Sequence, residues 1–398
     1  MKVVFAHDHR FIPDERKVFS ESQFDSSLWS RYLKVFDGVT VVGRLGKKPK
    51  NKTIHDLIES SADRVSFQLM PNISNITSRI LMRKKTIDIM DKSLQDVDAV
   101  IARLPSEIGL LAIDRAFHYG KPWAVEVVGC PWDGLWNYGS LQGKLYAPIS
   151  TWRMKQAVAK SKFVLYVTDQ FLQKRYPCNK GKTTNCSNVQ IPQPSLPVLR
   201  ERLNRINSSG QKKVIFGLIG TLRGQFKGIQ TVLSALRNVR DELPIFEFRV
   251  LGGGDADYWE KLAKSLGIGD VTFFDGVLPG GESVFQWLDK IDIYLQPSFK
   301  EGLPRALIEA MSRGCPCIAS NVAGIPELLE QENLITPGNI NQLGELLVKV
   351  VNNRHWQQRQ AQRNWQRASD YSHNVLEQRR NEFWQTFVQS INNGDYTK

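Results

Sequence analysis

Two carboxylates stand eight positions apart in the segment Lys300–Leu329, at Glu301 and Glu309. The first lies in a Gly- and Pro-containing loop. The second lies about two turns into the apolar-periodic helix which that loop feeds. A loop carboxylate can accept hydrogen bonds from sugar hydroxyls, and a helix carboxylate can hold a ribose diol, so one ligand can be gripped at two points. The first turn of the helix also exposes N–H groups to phosphate or hydroxyls. On spacing alone the same residues are equally a helix cap and a solvated charge.

A second constellation precedes it. After the apolar run Val214–Ile219 comes Gly220-Thr-Leu-Arg223-Gly-Gln-Phe-Lys227-Gly228, then a helix. Glycines let backbone N–H groups approach an anion, and the helix start adds partial positive charge. Arg223 and Lys227 supply cations suited to a diphosphate, although an ordinary βα loop would read the same way. The spacing is not that of a Walker loop. Leu251-Gly-Gly-Gly-Asp255 also follows a strand, without the GxGxxG spacing. Asp255 and Asp257 imitate a metal-chelating DxD pair but stand far from Glu301 in sequence. Cys315 and Cys317 read as small core residues of a strand, and Cys178 and Cys186 flank a Lys/Asn/Thr-rich loop with no histidine or further cysteine nearby, so no metal or redox site is expected.

The elements that must position these residues repeat a simple unit. Val3–Ala6, Val39–Val42, Val65–Leu69, Ala99–Ala102, Trp123–Val128 and Phe163–Val167 read as strands, with Ser26–Phe36, Asn75–Leu94 and Glu107–Tyr119 as helices between them. Gln190–Pro197 holds three prolines in eight residues and reads as a linker. The pattern then restarts at Val214–Ile219, Phe246–Leu251, Val271–Phe274, Ile291–Leu295 and Cys317–Ala319. Arg354–Ile391 reads as helical, with a break at Ser369–Ser372. The expected organisation is two Rossmann-like βαβ domains, residues 1–192 and 193–371, facing across a cleft, with a C-terminal helix at 372–398 packing back on the first. Ligands of open α/β sheets bind beyond the carboxyl ends of the strands.

The 398 residues carry a net charge of +13, unevenly spread. Residues 1–200 hold 30 Lys and Arg against 18 Asp and Glu, whereas residues 201–350 hold 16 against 18. A basic first half favours an anionic partner such as nucleic acid, a membrane surface or a phosphate-bearing substrate. Ile76–Ile87, Trp152–Lys155 and Lys160–Lys162 mix apolar and basic residues in a way that suits anionic lipid. No uncharged apolar run reaches spanning length, and the charged N-terminus reads as a strand, so a cytoplasmic location is expected. A nucleic-acid-binding motif is absent from the basic half.

The order of these segments resembles the Glu-x7-Glu signature of family 4 retaining glycosyltransferases with the GT-B fold. Gly220–Gly228, Leu251–Asp255, Val271–Val277, Pro297-Ser298 and Gly324–Glu327 agree with it in order and spacing across residues 213–350. The stretch Trp29…Arg44 resembles members from surface-polysaccharide pathways. The resemblance implies an α/β, GT-B hexosyltransferase. It would move sugar from a nucleoside-diphosphate donor to a saccharide or polyprenyl-linked acceptor, without metal or other cofactor, at the inner face of the cell membrane. It implies catalytic roles for Glu301, Lys227 and Arg223. It implies donor contacts from Glu309 (ribose), Gly302 and Leu303 (sugar), Gly220 (phosphate), and Val277 and Leu278 (base).

Two departures stand out. Thr221 occupies the position where the family usually has Arg, and Arg223 is the substitute. The segment Val125–Asp133 lacks the family's histidine, leaving Glu126 and Asp133 as replacements on the acceptor side. His7, Asp8 and His9, after the first strand, are further acceptor candidates. Alternatives from other classes are a GT-B epimerase acting on a sugar nucleotide, a basic nucleic-acid-binding protein, and a non-catalytic sugar-binding subunit.

Overall fold

The β-branched and aromatic runs become strands because each buries both faces under helices, the condition of a parallel sheet. In the computed structural model, which describes residues 1–21, 24–48, 54, 57–73, 76–136, 141–208 and 213–396, they form two sheets. The first comprises β1 (Lys2–Asp14), β2 (Lys17–Ser20), β3 (Gly38–Leu45), β4 (Ile58–Glu59), β5 (Val65–Met70), β6 (Ala99–Leu104), β7 (Trp123–Val127), β8 (Phe163–Tyr166) and β9 (Lys182–Asn185). Seven of these run parallel in the order β5-β3-β1-β6-β7-β8-β9, while β2 pairs antiparallel with β1 and β4 antiparallel with β2. The second sheet is wholly parallel: β10 (Val214–Ile219), β11 (Phe246–Leu251), β12 (Thr272–Phe274), β13 (Ile293–Gln296), β14 (Cys317–Ser320) and β15 (Leu334–Ile335), in the order β12-β11-β10-β13-β14-β15.

The chain divides into two compact units. One holds residues 1–186 and 377–398, the other residues 187–376. The Pro-rich segment near residue 190 therefore lies inside the second unit, where Ile191 bridges Ser372 and accepts the His373 N–H at 2.8 Å. A helix, Leu196–Asn207, follows it. Arg202 of that helix is buried and donates to the carbonyls of Arg313 and Leu288, at 3.1 and 2.9 Å, and to that of Ile291. The segment expected as an interdomain linker thus lies near the start of the second unit. The prolines sit before the helix and at its first turn, where a missing N–H costs nothing.

The helix His373–Asn392 begins in the second unit and continues in the first. There Trp384 packs on Tyr32 and Phe36, and Phe387 on Phe163. Tyr396 closes the tail, its hydroxyl donating to the Trp123 carbonyl at 2.6 Å. Burying side chains of this size stabilises by about 1.5–3 kcal/mol each.

One local expectation differs from the structure, and two further elements went unread in the sequence. β1 does not end at Ala6 but continues, through a register shift between Ala6 and Arg10, to Asp14. Phe11 is buried on the continuation and pairs with Leu45, which carries the strand onward. The loop around Cys178 and Cys186 contains β9, a polar edge strand with no apolar run to betray it. The helix Leu141–Lys160 carries Pro148 inside it, which hides a twenty-residue element from periodicity. Asn75, where the helix before β6 was expected to start, lies outside the described residues. All five cysteines are free thiols, and burial raises the pKa of each.

Candidate active site

In the second unit the strand ends of β10, β11 and β13 lie side by side, because their registers pair Ile219 with Leu251 and Gly217 with Tyr294. The loops that leave them interlock through glycine. Gly228 has φ of 76°, and a Cβ there would stand 2.0 Å from the Pro297 carbonyl oxygen. A Cβ on Gly252 would stand 1.8 Å from the Gly220 carbonyl oxygen. Only glycine lets these backbones approach so closely. Leu222 N–H donates to the Gly253 carbonyl at 2.9 Å, and Phe299 N–H to the Phe226 carbonyl at 2.8 Å. The phosphate-type loop, the Gly-rich loop and the Glu301 loop are thus tied into one floor.

On that floor Lys227 meets Glu301, Nζ to Oε1, at 2.6 Å. The side chains are 19% and 10% exposed, enough to keep an edge in solvent while the pair is held. Glu301 Oε1 also accepts from Ser298 Oγ at 2.8 Å and Gln296 Nε2 at 3.0 Å. Gln296 Oε1 in turn accepts from the Tyr294 hydroxyl at 2.8 Å. Tyr294, Gln296 and Ser298 are buried and alternate at period two, which puts them on one face of β13 and its exit. One carboxylate oxygen is saturated, and Oε2 has no hydrogen bond among the described residues. That oxygen can accept from a sugar hydroxyl without giving up its support.

Glu309 stands in the helix Arg305–Ser312. Burial raises its pKa, with Arg305 opposing, and its carboxylate has no hydrogen bond among the described residues. A half-buried acid without a partner is open to a ligand that satisfies it. Gly302 and Leu303 precede that helix. Their N–H groups bond to nothing among the described residues, while the Gly302 carbonyl accepts the Gly324 N–H at 2.9 Å. The Gly-x-Pro-Glu segment is thereby bound to the Glu301 loop.

Gly220 lies against the Lys227 side chain, 2.9 Å separating its would-be Cβ from Lys227 Cγ. Thr221 turns its hydroxyl to the Gly253 carbonyl at 3.2 Å, and the same oxygen accepts the Arg223 N–H. Thr221 therefore shapes the loop, and Arg223 stands at its exposed tip. Val277 is 72% exposed beside Gly253, with Leu278 next to it. Asp255 accepts the Asp257 N–H at 3.0 Å, a local turn at a helix start.

Sequence reading missed several members of this floor. Gln296 and Tyr294 carry a signal, the period-two polar file running into a buried strand end. Lys300 carries only its place beside Glu301. Its ammonium stands 4.7 Å from the Phe226 ring centre, and that of Lys227 stands 5.9 Å from the same ring. Burial lowers the Lys300 pKa; Glu301 opposes this and Lys227 adds to it.

The first unit gathers its candidates differently. His7, Asp8 and His9 do not follow the first strand; they lie within β1 at its irregularity. Asp8 accepts the N–H groups of Glu107 and Ile108 at 2.9 and 3.1 Å and pairs with Arg44 at 3.3 Å. His7 Nδ1 bonds the Arg103 carbonyl at 3.0 Å. Burial, with Arg103 second, pulls the pKa of His7 down to about 3 and that of His9 to about 4. Both rings stack on Phe24, and His9 Nε2 is buried without a partner among the described residues. Glu126 is 3% exposed, held by the Tyr32 hydroxyl at 2.8 Å and by Arg103 at 3.4 Å. Asp133 stands apart from these, paired with Arg175 at 3.3 Å.

Comparison with known proteins bears on the same regions. Residues 200–368 match the family described as glycosyl transferases group 1. The chain is 27% identical to protein CapJ of Staphylococcus aureus over 372 residues, covering 94% of this chain and 92% of that one. It is 33% identical over 134 residues to the amylovoran biosynthesis glycosyltransferase AmsK of Erwinia amylovora, 31% of this chain and 33% of that one. Among solved structures, a sucrose-phosphate synthase from Thermosynechococcus elongatus superposes with a TM-score of 0.68 at 14% identity, covering 98% of this chain and all of that one. HepE of Anabaena, in complex with UDP and glucose, gives 0.61 at 16% identity, covering 98% of this chain and 99% of that one. At such identities these structures speak for the fold.

Proposed function

This chain is a family 4 glycosyltransferase of the GT-B fold, with residues 200–368 in the glycosyl transferases group 1 family, and from that premise we propose that it is a retaining hexosyltransferase of cell-surface polysaccharide or glycolipid biosynthesis. The donor is a nucleoside-diphosphate sugar and the acceptor a hydroxyl of a lipid-linked saccharide. CapJ and AmsK, and the UDP held by HepE, support this reading. The observation that carries it is Glu301, with one oxygen saturated by Lys227, Ser298 and Gln296 and the other left for sugar.

The residues divide the work as their chemistry dictates. Glu301 Oε2, with the Gly302 and Leu303 N–H groups, holds the transferred sugar. Glu309 takes the ribose diol, which supplies the hydrogen bonds its half-buried carboxylate lacks. Lys227, with Arg223 at the loop tip, neutralises the diphosphate as the bond from the sugar C1 to phosphate oxygen breaks. Fixed charge already in place costs no reorganisation when negative charge develops. The acceptor oxygen bonds C1 on the face the diphosphate leaves, and the acceptor proton passes to the departing phosphate oxygen. Fixed cations then do the work of a metal, so a chelator leaves turnover unchanged.

The first unit presents a surface suited to the cytoplasmic face of an anionic membrane. Leu141, Leu145, Ile149 and Trp152 are each more than half exposed and share one face of the helix Leu141–Lys160, with Lys144 and Lys155 beside them. Ile80 and Leu81, 70% and 73% exposed, add a second apolar edge next to Arg83, Lys84 and Lys85. Among the described residues no helix is long and apolar enough to cross a membrane. Peripheral attachment of this kind weakens steeply as salt rises.

Incubation with candidate nucleoside-diphosphate sugars and a saccharide acceptor tests the reaction, with the product anomer read by NMR. The expected product keeps the donor's anomeric configuration. Inversion refutes the retaining reading, and turnover of donor to an epimer without acceptor refutes transfer.

A further inference from the structure

The first unit contains a groove that none of the roles above uses. It has a volume of about 530 Å³ and runs between the helices Arg83–Leu94, Glu107–His118 and Leu141–Lys160. This is an ordinary volume for a small-ligand site. Its floor is aliphatic, with Ile87, Leu110 and Leu111 among the lining side chains. Phe117 and Trp152, 72% and 62% exposed, stand at its edge.

The charge around it is arranged rather than scattered. Glu107, one of the two acids that line it, is paired with Arg153 at 2.6 Å and with Arg79 at 3.4 Å. Tyr146 donates to the same carboxylate at 2.8 Å and lies under the Arg79 guanidinium at 4.4 Å. These contacts join the helix Ile76–Leu81 to the helix Leu141–Lys160 across the groove. Arg83 and Lys160 also line it, so four cations face Glu107 and Asp114. An aliphatic floor under a net-positive rim complements an apolar chain ending in phosphate. The rim continues into the apolar stripe from Leu145 to Trp152, which gives a lipid chain a path that stays out of water. Glu107 also ties the groove to β1, since its N–H is held by Asp8.

We propose that this groove binds the lipid moiety of the acceptor, with the apolar chain on Ile87, Leu110 and Leu111 and the phosphate at Arg83, Lys160 and Arg153. The assignment rests on the reading of a lipid-linked acceptor given above. It makes the groove an acceptor subsite and not merely part of a membrane foot.

The test uses the full chain and farnesyl monophosphate as probe, with farnesol and inorganic phosphate as its two halves. The expected result is saturable binding of farnesyl phosphate, weakened by at least about tenfold in Leu111→Trp, which fills the groove, and in Arg83→Glu, which inverts a rim charge. Farnesol and inorganic phosphate each bind more weakly than the whole probe. Thermal unfolding and nucleoside-diphosphate binding by the second unit remain as in the unsubstituted chain, which shows that the variants fold. The proposal is overturned if farnesyl phosphate does not bind, if the variants bind it unchanged, or if inorganic phosphate binds as well. It is also overturned if Leu111→Trp loses affinity for phosphatidylglycerol vesicles to the same degree, since the groove is then a membrane foot. Transfer separates this inference from the one beneath it. If lipid-linked saccharides are not acceptors at all, the unsubstituted chain fails to use them. If only the groove is wrong, both variants use them with an unchanged KM.

Discussion

The two units set polar residues at the carboxyl edge of a parallel sheet in contrasting ways. In the second unit, Tyr294, Gln296, Ser298 and Glu301 come from one strand and its exit, and they pass hydrogen bonds along to a single carboxylate oxygen. The outer oxygen, like Glu309, is left over for a ligand. In the first unit, Glu126, Tyr32, Arg103 and His7 come from four separate elements and consume one another. A file of neighbours in sequence can be supported from behind and open in front. A cluster assembled from distant residues has most of its capacity spent on holding the fold, and among the described residues His9 Nε2 and Arg103 Nε are buried atoms left without a hydrogen bond. The difference teaches that the second unit's carboxylates are poised for a ligand, which the proposed function takes to be the donor, and that the polar heart of the first unit is a structural knot.

The largest effect that tests this contrast is at Lys227. Lys227→Ala lowers turnover by about 10²–10³, the usual loss when one fixed transition-state charge is removed, as read from nucleoside-diphosphate release. Thermal stability changes little, because Glu301 keeps its bonds to Ser298 and Gln296. A variant that loses stability and keeps turnover would erase the contrast.

Next comes Glu309→Gln, which should separate binding from stability. The folded pKa of Glu309 is raised by burial above its unfolded value. Below the ordinary carboxyl range both states are protonated and burial costs nothing. As pH rises through that range the unfolded chain ionises first, and stability is lost. Glu309→Gln should therefore raise Tm near neutral pH, match the unsubstituted chain in acid, and weaken donor binding. A lowered Tm at neutral pH would show that the carboxylate is satisfied within the fold.

Tyr32→Phe probes the other side. It leaves buried Glu126 with one partner fewer, at about 1–3 kcal/mol of stability by denaturant unfolding, with donor affinity unchanged. A loss of donor affinity instead would make the first unit's cluster part of the donor site. The smallest expected effect is a pH slope. His7 and His9 have folded pKa values lowered to about 3 and about 4, from 6.5. As pH falls below 6.5 the unfolded chain takes up protons first, so stability declines toward acid. His9→Phe, which keeps the stacking on Phe24, makes that decline shallower. An unchanged slope would place the acid sensitivity elsewhere.

Much of the donor side was legible because its determinants are local. Type and spacing marked Gly220, Lys227, Glu301 and Glu309 as candidates without separating a site from a cap and an ordinary loop; the order of the segments, through the resemblance, singled them out, and the glycines at 228 and 252 are required by close backbone approaches. The role of Gln296 was hidden because a glutamine at a strand end has no unique reading until Glu301 is seen beside it. Lys300 was hidden for the same reason. On the first unit the difficulty was distance: Tyr32 and Glu126 are 94 positions apart, and no period links them. β1 was cut short at Ala6 because the polar run His7–Arg10 breaks its apolar pattern, although backbone pairing to β3 resumes beyond it. Pro148 inside one helix and the polar composition of β9 concealed two further elements. In each case a tertiary neighbour overrode the local signal.

The central claim is that the second unit's carboxylates and Lys227 hold a nucleoside-diphosphate sugar. The most direct measurement is a thermal-shift titration of nucleoside-diphosphate sugars against the unsubstituted chain, Glu309→Gln and Lys227→Ala. The account predicts that at least one donor stabilises the unsubstituted chain, by about 2.7 kcal/mol at a hundred times its Kd, and that both variants lose most of that stabilisation. A donor that stabilises all three chains equally, or no donor that stabilises any of them, would contradict it.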